Sequence, residues 1–176
     1  MNKLTFVKPV LSHKRDAEAF KQEFFDFGET IINGSALLDQ MEYDEWLVNT
    51  DNNRSADTVR NDWIVADTFF AVRKSDNKIV GIIDIRHNLN NEFLTLYGGH
   101  IGYAVRPCER KKGYASEMLG MACEYAKSLG LDNVMLGCYS DNTASVKTIE
   151  KCGGILTEEK PYADGKPMRI YHINLK

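Results

Sequence analysis

Six consecutive residues, Arg110-Lys111-Lys112-Gly113-Tyr114-Ala115, set three cations directly before a glycine at the point where a helix begins. A helix N-terminus presents unpaired N–H groups and the positive end of its dipole, so its first turn ordinarily attracts acids. Cations in that place are relieved by a bound polyanion such as a pyrophosphate, and Gly113 lets backbone approach it with no Cβ in the way. The segment holds neither the G-x-x-x-x-G-K-[ST] of a Walker A loop nor the G-x-G-x-x-G of a dinucleotide fingerprint. Taken alone, it reads equally as a solvated basic turn. Proton transfer near neutral pH suits imidazole. Of the four histidines, His13 and His172 fall at a helix start and in the last strand, which are structural places. His87 ends a central strand with Asp84 three residues before it, and His100 opens the neighbouring strand beside Gly98-Gly99.

The elements that must carry these groups follow from periodicity. Ile101, Tyr103 and Val105 alternate with smaller or polar residues, which predicts a strand over His100–Arg106, ended by Pro107. Ala115, Met118, Leu119, Ala122, Ala126 and Leu129 form a helical stripe closed by Gly130. The apolar run Asn133–Tyr139 predicts a strand buried on both faces, joined to the previous one by a right-handed crossover and therefore parallel to it. Asn142 caps a short helix that buries Val146 and Ile149 and stops at Gly153-Gly154.

Upstream, Leu4–Val7 reads as a strand. Ser12 is a good N-cap for a helix with a stripe of Ala17, Phe20, Phe24, Phe27 and Ile31, and a second helix spans about Asp39 to Val48. Trp63–Arg73 and Lys78–His87 predict a hairpin, followed by a polar loop with Phe93, Leu94 and Leu96 tucked in. A final hairpin turns at Asp164-Gly165.

Arg110, Gly113 and Ala115 fill the pattern of Gln or Arg, two residues, Gly, one residue, then Gly or Ala. In this the loop resembles the pyrophosphate loop of the GNAT superfamily of acyl-CoA-dependent N-acetyltransferases, and the order of elements from about residue 63 onward is similar to that family. The resemblance implies an α/β fold with a mixed, largely antiparallel sheet of about seven strands flanked by helices, and acetyl-CoA as cosubstrate. It implies that the N–H groups of Lys111, Lys112, Gly113, Tyr114, Ala115 and Ser116 meet the pyrophosphate, with Arg110 and Lys112 adding charge. Tyr103, Ala104 and Val105 would lie beside the thioester, their backbone N–H groups serving the oxyanion. Asn142 and Ser145 match the family's second motif, where the Asn reaches the pantetheine arm, although Asn142 is equally a plain N-cap. The tyrosine that often stands seven residues past this Asn, as general acid to the thiolate, is Ile149 here. Tyr139 is the nearest tyrosine in sequence and reads more readily as packing. A thiol ionises near 8.5 and needs little help.

For the base, His100 is the first candidate, with Asp84 and His87 as the fallback pair. At about 3.3 Å per residue, His100 lies roughly 10–17 Å along the strand from the acyl site, so a bulge or a bridging water is required. The acceptor is expected to be a small amine, acetylated directly in a ternary complex, since no cysteine is well placed as an acyl carrier.

At 176 residues the chain suits one domain, 1–176, and its net charge of −3 argues against general nucleic-acid binding. No apolar run is long enough for a membrane span, and the N-terminus lacks the features of a signal peptide. Cys108, Cys123, Cys138 and Cys152 lack C-x-x-C spacing and fit reduced thiols, hence a cytoplasmic setting with no metal site. Between Gln22 and Asn53 there is no Lys or Arg but there are eight acids, either a solvated face or an acidic wall near a cationic acceptor. A non-catalytic acyl-CoA-binding module on the same fold and an interaction protein without cofactor are the rival functions; a homodimer is compatible with the sequence.

Overall fold

The computed structural model describes residues 3–176. Seven strands divide into two sheets. β1 (Leu4–Val7), β2 (Ala66–Arg73), β3 (Ile79–Arg86) and β4 (Ile101–Val105) pair in that order, and β5 (Asn133–Tyr139), β7 (Pro167–Asn174) and β6 (Ile155–Pro161) form the second sheet in the order β5-β7-β6. Every ladder is antiparallel.

β2 and β3 are buried along seven of their eight residues because helices cover both faces. Successive side chains on a strand point to opposite faces. On one face Phe70 and Ile82 pack with Phe20 and Phe24 of α1 (Lys14–Asp26) and Trp46 of α2 (Tyr43–Asn52). On the other, Phe69 and Ile83 pack with Met118 and Leu119 of α3 (Tyr114–Ser128), together with Val146 and Ile149 of α4 (Thr143–Lys151). Each aliphatic side chain so enclosed contributes about 1.5–3 kcal/mol relative to exposure.

β4 and β5, expected to run parallel, share no ladder and belong to different sheets. The two meet through one isolated bridge, Gly99–Leu136, beside a His100 N–H to Met135 carbonyl bond of 2.8 Å. Glycines make this approach feasible: a Cβ on Gly99 (φ +65°) would lie 2.2 Å from the Met135 carbonyl oxygen, and one on Gly137 1.9 Å from that of Tyr97. Past this point β4 has no ladder partner on its outer side among the described residues.

Helix bounds also shift. Ser12 lies in a 3-10 turn, Leu11–His13, so the cap position passes to His13 and α1 starts at Lys14, one residue later than expected. α1 ends at Asp26, leaving Phe27 and Ile31 well exposed. α2 begins at Tyr43, not Asp39, because Glu42 takes an extended conformation (ψ 147°) that no helix admits. The segment before β4 forms a π-helical turn, Leu94–Gly98, that buries Leu94 but leaves Phe93 and Leu96 exposed.

Candidate active site

The site begins with the free edge of β4. In an antiparallel pair, alternate residues exchange both backbone hydrogen bonds with the partner strand. The Arg106 N–H donates to the Val80 carbonyl and the Arg86 N–H to the His100 carbonyl, so the even-numbered residues of β4 face β3. The backbone of Tyr103 and Val105 therefore points away from the sheet. The Val105 carbonyl confirms this by accepting from Arg110 Nε at 3.2 Å.

Against that edge lies the basic loop. Lys111 (φ +62°) and Gly113 (φ +86°) take left-handed turns before α3 starts at Tyr114. Among the described residues, no hydrogen bond takes the N–H groups of Lys111 to Ser116. Six donors at a helix start form a ready anion site. Opposite them, Asn142 Oδ1 accepts from the Ser145 N–H at 3.1 Å and caps α4. Together β4, the loop and α4 enclose a cleft of about 600 Å³ that brings Tyr103, Ala104, Val105, Arg110, Lys111, Gly113, Tyr114, Ala115, Ser116, Asn142 and Ser145 to one surface.

The loop's cations are less free than the sequence suggests. Arg110 is gripped by both carboxylate oxygens of Glu29, which holds the Glu29 carboxyl below its usual range. Lys112 does not line the cleft and donates to Glu109 at 2.7 Å. Glu109, only 3% exposed, also receives Lys78 and Arg73. Burial pushes its carboxyl up, but the bonds from Lys112, Lys78 and Arg73 outweigh it and leave the pKa at about 2. Glu109 thus anchors the turn that presents the N–H groups. A lone acid among Arg106, Arg110, Lys111 and Lys112 was its only trace in the sequence.

A second cavity of about 350 Å³ opens on the α1–α2 face and shares Ile31 and Asn33 with the cleft. Asp84 and Arg86 lie at its β3 wall. Asp84 accepts from Thr68 Oγ1 at 2.8 Å and lies 3.2 Å from Arg86 Nε. Burial raises its pKa, with Arg86 and Thr68 opposing. It pairs across the ladder with Gly102, one residue from the outward backbone of Tyr103.

The histidines fall differently. His100 is buried, and its Nδ1 accepts from the Met135 N–H at 3.0 Å. Burial lowers its pKa to about 4, helped by Arg86 and His172. An imidazole neutral and pinned in this way does not suit a base working near neutrality; it fastens β4 to β5. In the unfolded chain it titrates near 6.5, so the unfolded state binds more protons between that value and about 4. Stability from this group is full above pH 6.5 and falls with decreasing pH, by up to roughly 3 kcal/mol. Thermal melts should show a steeper loss between pH 6.5 and 4.5 in the wild type than in His100→Gln.

His87 and Asp84 are not a pair. His87 Nε2 lies 2.8 Å from Asp67 Oδ2, which also accepts from the Tyr125 hydroxyl at 2.8 Å on the α3 side. Asp67 and Thr68 are adjacent on β2 and project to opposite faces, and Asp84 joins Thr68. Tyr139, the last residue of β5, donates to Asp164 Oδ2 at 3.1 Å and lies edge-on to Tyr162, both in the β6–β7 turn, and it lines neither cavity. Ile149 is 1% exposed in the core.

The acetyltransferase (GNAT) domain family matches residues 6–155. The chain belongs to the GNAT acetyltransferase family. Solved structures agree on the GNAT fold. A proposed ribosomal-protein-serine acetyltransferase from Vibrio cholerae superimposes with a TM-score of 0.70 at 17% identity, covering 99% of this chain and 95% of that one. The microcin C7 self-immunity acetyltransferase MccE, in complex with acetyl-CoA and AMP, gives 0.67 at 17%, covering 99% and 93%. Spermidine N-acetyltransferase from Vibrio cholerae, in complex with CoA and spermine, gives 0.66 at 15%, covering 98% and 96%. No match was found among curated protein sequences.

Proposed function

We propose that this GNAT domain moves an acetyl group from acetyl-CoA to the primary amine of a small cationic acceptor by direct transfer. The observation that carries the reading is the run of N–H groups from Lys111 to Ser116, unpaired among the described residues, all but Lys112 belonging to residues that line the same cleft as the free edge of β4. Acetyl-CoA would supply the activated acyl carbonyl. Lys111 to Ser116 would hold its pyrophosphate, and Asn142 and Ser145 the pantetheine arm. The N–H groups of Tyr103 and Val105 would receive the carbonyl oxygen, where preformed donors favour developing negative charge.

Asp84 is the base in this scheme. A carboxylate whose pKa is raised by burial accepts a proton from an ammonium more readily than an ordinary one. Thr68 and Arg86 fix its orientation, and it faces the second cavity, from which the amine would approach. The neutral amine adds to the carbonyl to form the C–N bond. The oxyanion collapses with cleavage of the C–S bond, the sulfur departs as thiolate, a form it holds readily near its own pKa, and the second nitrogen proton passes to solvent. Ile149 offers no proton to the sulfur.

Of the eight acids in the cation-free window, Asp39 alone lines the second cavity; Glu23 and Glu29 serve the cofactor side through Arg106 and Arg110. Initial rates measured while both acetyl-CoA and an amine are varied test the reading. Intersecting double-reciprocal lines with N-acetylated amine as product are expected. Parallel lines would point to an acyl-enzyme carrier, and CoA binding without any amine-dependent thiol release would leave a non-catalytic module.

A further inference from the structure

The second cavity carries information about the acceptor beyond its charge. Three carboxylates line it: Asp39, Asp62 and Asp84. Asp62 lies 2.7 Å from the Arg60 guanidinium and Asp84 3.2 Å from that of Arg86. Asp39 accepts from Ser35 Oγ at 2.9 Å and, among the described residues, forms no ion pair with a Lys or Arg. Three negative charges against two neighbouring guanidinium groups leave one uncompensated. The cavity therefore matches a single ammonium, which a polycation exceeds.

The rest of the rim mixes a few polar groups, Asn33, Gln40 and Asn91, with large apolar side chains that are left open. Ile31 is 67% exposed and Phe93 52%, and both line this cavity with the half-buried Trp63. Large apolar side chains left open around a concavity with a few polar groups are the ordinary make-up of a site for an apolar ligand body. The aromatic faces nearby are already supplied with cations. Arg60 lies 5.7 Å from the Trp63 ring centre, and Lys160 5.2 Å from that of Tyr97, whose ring neighbours Phe93. A second or third ammonium would meet these cations and the exposed hydrocarbon, and gain little from either.

Resting on the proposed acetyl transfer, we infer that the acceptor is a monoamine whose amino group is attached to an apolar, ring-bearing body. The ammonium meets Asp39 and passes its proton to Asp84, while Ile31, Trp63 and Phe93 enclose the body. Phe93 determines specificity for the body, and Asp39 recognises the charge.

The test compares 2-phenylethylamine with spermidine at varied concentration, with saturating acetyl-CoA and free thiol as readout. The wild type should turn over 2-phenylethylamine with a kcat/KM at least tenfold above that for spermidine. Phe93→Ala, at an exposed position, should lower kcat/KM for 2-phenylethylamine about tenfold through KM, with acetyl-CoA affinity unchanged. Equal or better turnover of spermidine, or a Phe93→Ala protein with undiminished kcat/KM for the aromatic amine, would overturn the inference while leaving acetyl transfer standing. If acetyl-CoA binds and neither amine is consumed, the proposed activity fails and this inference with it.

Discussion

Asp84→Asn should lower kcat/KM for the amine by about 10²–10⁴-fold, the usual contribution of a positioned general base, with acetyl-CoA affinity unchanged. The substitution keeps the shape of the side chain and an oxygen for the Thr68 hydroxyl, but removes the group that takes the proton. Only the carboxylate form acts as base, so activity falls as the pH drops through its pKa. Burial raises that pKa, with Arg86 and Thr68 opposing, so the acidic limb of the rate profile should lie above the ordinary Asp value of about 3.9. His100→Gln should retain that limb. Because Asp84 also faces Arg86, a melting curve of the Asn variant separates loss of chemistry from loss of fold. Full turnover by Asp84→Asn would remove Asp84 from the mechanism.

Gly113→Val should weaken CoA binding at least tenfold, about 1.4 kcal/mol or more. Gly113 sits at φ +86°, where a β-branched residue is strained, and a Cβ built there meets no protein atom within 4 Å. The left-handed backbone favours glycine there, and the open space beside it is where the phosphates would approach. Gly113→Asn tolerates the left-handed backbone better and should still weaken binding, which isolates the steric part. Calorimetric titration with CoA reads both variants.

Much of this was legible in the residue order. The stripe from Met118 to Ala126, the alternation of Ile101, Tyr103 and Val105, and the cap at Asn142 each encode an element through local periodicity, and the structure has all three. Arg110, Gly113 and Ala115 encode the loop because its conformation is set by its own glycine and by helix-end chemistry. Less was legible where a group's behaviour depends on partners far away in sequence. His100 looks like a base until Met135, 35 residues later, donates to its Nδ1. Asp84 and His87 are close in the chain and part ways because three residues along a strand reverse the face. Glu109 is an ordinary loop acid until Arg73 and Lys78 converge on it. α2 starts later than Asp39 because Glu42 is extended, after a turn at Ala36 and Leu37 whose left-handed φ values their side chains do not announce. Trp46 Nε1 and Asn49 Nδ2 hold that turn through the carbonyls of Ser35 and Ala36.

The central claim is that the cofactor lies across the free edge of β4 with its pyrophosphate on the loop. Backbone amide chemical shifts, followed by nuclear magnetic resonance while CoA is titrated into the wild-type protein, test it most directly. The largest changes should fall on Lys111 to Ser116 and on Tyr103 and Val105, with the even-numbered residues of β4 moving less because their N–H groups already face β3. Saturable shifts confined to another surface, or none in this loop, would contradict the account.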